Sequence, residues 1–120
     1  MIQALRPHIA TAVVSDDMSN IEKFQNQVLR PIIKFQHEIL SELFKMHLVK
    51  KKINTNAWDV PTKEKYIQKT LSNDQVLRNI VIGTIVGMMD ETEISTFHNH
   101  ETEMRNRISK MIGQRLVNEI

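Results

Sequence analysis

Residues 19–52 read SNIEKFQNQVLRPIIKFQHEILSELFKMHLVKKK, and their apolar positions define the fold class. Ile21, Phe24, Val28, Ile32, Phe35, Ile39, Leu43 and Met46 recur at spacings of 3-4-4-3-4-4-3, the stripe of one helix face. Leu29, Ile33, Leu40, Phe44 and Leu48 form a second row beside it. A stripe this wide packs against two or more neighbours, whereas a two-stranded coiled coil has a narrow seam. Ser19-Asn20-Ile21-Glu22 is a capping box at the start, and Lys50-Lys51-Lys52 sets positive charge at the negative pole of the end. Pro31 lies inside the pattern without a backbone donor. The stripe keeps its phase across it, which predicts one long, Pro-kinked helix from about Asn20 to Lys52.

The remainder of the chain repeats this grammar. Asn54 to Trp58 reads as a loop, and Pro61-Thr62 starts a short helix through about Leu71. Ser72-Asn73-Asp74-Gln75 reads as a capping box opening a helix to about Met89. That helix is apolar on most sides and is expected to be the buried partner of the long one. Asp90-Glu91-Thr92-Glu93 opens a short helix carrying Ile94 and Phe97. Asn99 is expected to cap a final helix with Met104, Ile108, Met111, Ile112, Arg115 and Leu116 at helical spacing. Residues 1–17 form an N-terminal segment, a short helix or frayed, with Leu5, Ile9 and Val13 spaced around Pro7. The expected architecture is therefore all-α, a single-domain helical bundle over residues 18–120.

Composition agrees and removes several chemistries. The 120 residues suit one domain, and 41% apolar with 25% charged residues exclude a disordered or collagen-like chain. Three Gly and three Pro are too few for a turn-rich all-β fold. With no cysteine, disulfides, thiolate metal sites and thiol nucleophiles are excluded. The net charge of +2 does not mark a nucleic-acid binder. The nearly apolar run Ile80–Met89 is far shorter than the ~20 residues of a membrane span. Ala10-Thr11-Ala12 echoes a signal-peptidase site, but Pro7 and His8 interrupt the apolar stretch that should precede one. The lack of cysteine and of any Asn-x-Ser/Thr sequon fits a cytoplasmic bacterial setting.

Four features carry candidate chemistry. His37-Glu38 begins like the zinc-protease motif, but Ser41 stands where its second histidine belongs, so His37 reads as a surface or edge residue. His98, His100 and Glu101 form the most metal-like cluster. Histidines two apart on a helix point to different faces, so they chelate together only if Asn99 breaks the helix. An exposed polar corner is the plainer reading, and no metal or cofactor is expected. Gly83 and Gly87 form a small-xxx-small pair on one face with Val76 and Ile80. Each glycine costs about 1 kcal/mol against alanine inside a helix, which calls for close packing within the chain or between subunits. Lys50, Lys51 and Lys52, with Lys45, Lys63, Lys65 and Lys69, outnumber Asp59 and Glu64 in the same stretch. They offer an anion-binding patch or a solvated helix end. Stacking aromatics are not interleaved with them, so nucleic acid is not an expected partner. Trp58, the only tryptophan, is expected to pack over the adjoining hairpin end. No catalytic signature is present.

Three segments resemble a group of small all-helical proteins from Bacteroidetes-type bacteria: Asn26 to Gln36, Leu77 to Gly83, and Gln114-Arg115-Leu116. The resemblance spans roughly residues 18–120 and implies helix packing without any catalytic residue. Automatic labelling often attaches "glyoxalase" to that group, whose glyoxalase-like namesakes are paired βαβββ units with metal ligands on strands. The helical pattern here departs from that plan. The function expected is a cytoplasmic interaction or structural module that self-associates, with a dimer favoured. The rival is a small-molecule-binding protein or enzyme with a pocket between helices. A pocket carrying His98 or His100 would favour the rival, and a continuous apolar surface the module.

Overall fold

A computed structural model of the chain describes residues 19–120, and the expectation for residues 1–17 lies outside them. The described residues form α1 (Asn20–Phe24), a π-helical turn (Gln25–Leu29), α2 (Arg30–Phe35), α3 (His37–Lys50), α4 (Val60–Asn73), α5 (Gln75–Val86), α6 (Glu91–Asn99) and α7 (Glu101–Leu116), with no strand among them. The fold is the expected all-α bundle.

The stretch read as one long helix is divided into segments. The Ser19 hydroxyl accepts from the Glu22 amide at 3.1 Å, which caps α1 by one half of the expected box. Before Pro31 the chain takes a π-helical turn, in which the Arg30 amide donates to the Gln25 carbonyl five residues back. That wider spacing suits a segment about to lose a donor, and Pro31 then sits in the first turn of α2. The departure from helical geometry falls at Gln36 (φ −92°, ψ 11°). There the Gln36 side chain donates to the Thr84 carbonyl at 3.1 Å, tying the junction to α5.

Two boundaries differ from expectation. Ser72 belongs to α4, where its hydroxyl donates to the Gln68 carbonyl, and Asp74 caps α5 by accepting from the Leu77 amide at 3.1 Å. Asp competes for the cap at least as well as Ser, so the later residue wins. His100, rather than Asn99, is the N-cap of α7 and makes no side-chain capping bond. The Asp90–Glu93 box forms as read, with Asp90 accepting from the Glu93 amide at 2.8 Å and Glu93 from the Asp90 amide at 3.0 Å. Asp59 caps α4 by accepting from Thr62 at 2.9 Å, and this bonding holds its carboxyl below the usual carboxylate range.

The core is one cluster containing Leu29, Ile32, Leu40, Phe44, Ile67, Leu71, Val81, Ile85, Met104, Ile108, Ile112 and Leu116 among its buried members. Its hub is α7, which packs against α2, α3, α4, α5 and α6. The charged residues of α7 dilute its sequence signal, yet its inner row of Met104, Ile108, Ile112 and Leu116 is fully buried. Expecting α5 to be the buried partner is therefore only half right. α5 buries Leu77, Val81, Ile82 and Ile85, while Val76 (72% exposed) and Ile80 (47%) face outward. The glycine that meets a neighbouring helix is the buried Gly113, over which the end of the Gln68 side chain on α4 lies as it donates to the Lys110 carbonyl.

Candidate functional site

The residues singled out by sequence fall at four places. His37 joins a polar tie to the C-terminal end. Its Nδ1 accepts from Arg115 Nε at 3.1 Å, which leaves Nε2 to donate to Glu119 at 3.0 Å. His98 and Glu101 approach to 4.0 Å at the α6–α7 corner, with the histidine 80% exposed. Among the described residues no group of three or more His, Asp or Glu side chains gathers in metal-binding geometry. Lys50 and Lys51 end α3 and Lys52 follows, all exposed.

Gly83 and Gly87 are exposed, and a Cβ on Gly83 would meet no neighbour within 4 Å. The intrachain-packing reading of Ile80, Gly83 and Gly87 therefore fails, because this face of α5 points away from the core. It is, however, part of a larger surface. The Gln36–Thr84 hydrogen bond and the 3.8 Å approach of His47 to Asp74 fix α3 and α5 as antiparallel neighbours in near residue-for-residue register. Arg78 and Arg105 tie the opposite flank of α5 to α7, through bonds from Arg78 to Asn106 and Ser109 and from Arg105 to Asn79. Helical spacing then sets Ile39, Leu43 and Met46 of α3 alongside Val76, Ile80, Gly83 and Gly87 of α5, on the outer side of their shared seam. Phe35 (46% exposed), Ile39 (50%) and Met46 (65%) continue the apolar character.

A second feature lies at one end of this seam, where the end of α3, the following loop, α4 and the start of α5 enclose an open groove of about 610 Å³. The groove exists because α3 stops sharply. Lys52 adopts φ 57°, the Lys52 amide donates to the Val49 carbonyl at 3.0 Å, and the Ile53 amide donates to the Leu48 carbonyl at 2.9 Å. This is a Schellman ending with lysine at the position that favours glycine, and it folds Ile53 back to wall the groove. Within it, His47 Nε2 lies 3.0 Å from the Tyr66 hydroxyl and Nδ1 faces the Asp74 carboxylate at 3.8 Å. The carboxylate favours a proton on Nδ1, so Nε2 accepts from Tyr66. Phe44 packs at 6.2 Å from the Tyr66 ring and Trp58 stands edge-on to it at 5.3 Å. The His47 side chain is only 9% exposed. Burial pushes its pKa below the usual histidine value; Asp74 opposes the shift, and Lys51 and Lys50 add to it.

Sequence reading passed over this cluster because its members lie in three helices, and none carries a motif alone. The weak signal was the surplus of lysines around it. No described helix is long and apolar enough to cross a membrane. No protein-family model, curated protein or solved structure matches the chain.

Proposed function

We propose that the protein is a self-associating helical interaction module, cytoplasmic and bacterial in setting, whose docking surface is the outer α3–α5 face. The observation that carries this reading is the apolar seam of Phe35, Ile39, Met46, Val76 and Ile80, all between 46% and 72% exposed, around a glycine with open space above it. These side chains expose on the order of 500–600 Å², at the top of the range for a monomer's largest apolar patch. With a polar rim added, the face approaches the ~800 Å² per partner of a stable interface. A second copy fits it best. Two antiparallel helices laid on the same two helices of another chain complete a four-helix layer, and a two-fold axis requires only one self-complementary patch. Exposed Lys34, Glu38, Glu42 and Lys45 along the outer edge balance two charges of each sign, so the rim does not repel itself. Gly83 and Gly87 remove bulk where the backbones would meet, which is the subunit-contact alternative among the two readings of their spacing.

The test is mass in solution. Light scattering after size-exclusion chromatography should give a dimer, and Ile80→Glu should give a monomer with an unchanged helical circular dichroism spectrum. A parent chain that stays monomeric at several hundred micromolar, or an Ile80→Glu variant that stays dimeric, would refute the assignment.

A further inference from the structure

We infer that the groove at the end of α3 is a binding site for a small organic acid, one with a singly charged carboxylate head and an apolar body. Its volume, about 610 Å³, lies within the ~300–1,000 Å³ typical of small-molecule sites. Ile53, the Tyr66 ring and Val76 line it with apolar surface, and Lys51 and Lys69 line it with cations. Charge sets the valence of the head group. Asp74 is committed at both oxygens, one accepting from the Leu77 amide and the other facing His47. His47 is held neutral near pH 7, so two lysines against one aspartate leave the groove at +1, the complement of a monoanion. A doubly charged phosphate would be over-charged for this site and would leave the apolar wall unused. The Tyr66 hydroxyl donates its proton to His47, so the lysines alone are left to meet the carboxylate, and the hydroxyl marks the boundary between the polar and apolar ends.

This site stands apart from the self-docking surface except at Val76, which borders both. Trp58, the only tryptophan, packs against the Tyr66 ring and so reports on the groove through that wall residue. The experiment follows Trp58 fluorescence while octanoate, octanol or inorganic phosphate is added to the full chain. Octanoate should give a saturable change, octanol should bind at least tenfold more weakly, and phosphate alone should give none. Lys51→Gln combined with Lys69→Gln should weaken octanoate at least tenfold. Both lysines are exposed, so circular dichroism should be unchanged. Ile80→Glu should leave octanoate binding intact, which separates this site from self-association. Equal affinity for octanoate and octanol, indifference to the double lysine change, or loss of binding in Ile80→Glu would each overturn the assignment. So would binding of an acidic peptide where octanoate fails, which would make the groove a protein-docking site.

Discussion

Lys52 is held at φ 57° by the two hydrogen bonds that close α3. A side chain in the left-handed region costs roughly 1–2 kcal/mol, part of which glycine gives back through its freer unfolded chain. Lys52→Gly should therefore raise stability by about 0.5–1 kcal/mol, read as an increase of a few degrees in Tm. A fall would mean that the ending depends on the lysine side chain. His47 bears on pH. Its pKa in the folded chain lies below the ordinary value, so the unfolded chain binds the proton more readily. Its contribution to stability is complete above about pH 6.5 and is lost as pH falls through the folded-state value. NMR titration of the His47 ring should place its midpoint below the ordinary value. Asp74→Asn keeps the helix cap, since Asn caps as well as Asp, but removes the carboxylate that opposes the shift. That variant should titrate at a still lower pH, and an upward shift would show that Asp74 does not act on His47 through its charge.

At the level of helices, the glycines divide into two kinds. Gly113 lies where α4 and α7 approach, and Gly83 looks into open space. Gly113→Leu should therefore cost about 1 kcal/mol, since it must push the end of the Gln68 side chain aside and break its bond to the Lys110 carbonyl. Gly83→Ala should stabilise the separate chain by roughly 0.5–1 kcal/mol, the ordinary gain in helix propensity. Gly83→Leu should stabilise the separate chain by a similar amount, since Leu is nearly as good a helix former and meets open space, while weakening the dimer. Urea denaturation of dilute protein, beside mass measurement of concentrated protein, distinguishes these outcomes. Destabilisation by Gly83→Leu in dilute protein would mean that α5 turns this face inward. The spacing of Gly83 and Gly87 advertised a close contact, but spacing alone does not say which side of a helix meets a neighbour. Gly113 was passed over because it stands alone in a charged helix.

For the molecule as a whole, an apolar interface between copies ties stability to concentration. Tm should rise with protein concentration for the parent chain and stay flat for Ile80→Glu; a flat parent curve would count against the dimer. Helix content, the starts of α1 and α6, and the inner apolar rows were legible from residue order, because periodicity and capping are local and need no partner. The identity of the hub was not. The surface of α7 is richly charged, and its centrality shows only once the other helices surround its inner row. The groove was hidden for a related reason, since His47, Tyr66 and Asp74 come from separate helices and meet through packing. Likewise, a wide apolar stripe specifies that a helix has a face to cover without saying what covers it. Along α3 the inner row is covered by the chain's own core, and the outer row meets the apolar side of α5 to form an open surface. That division depends on how the helices pack in three dimensions, since hydrophobic burial is non-directional and any apolar neighbour of suitable shape can satisfy it.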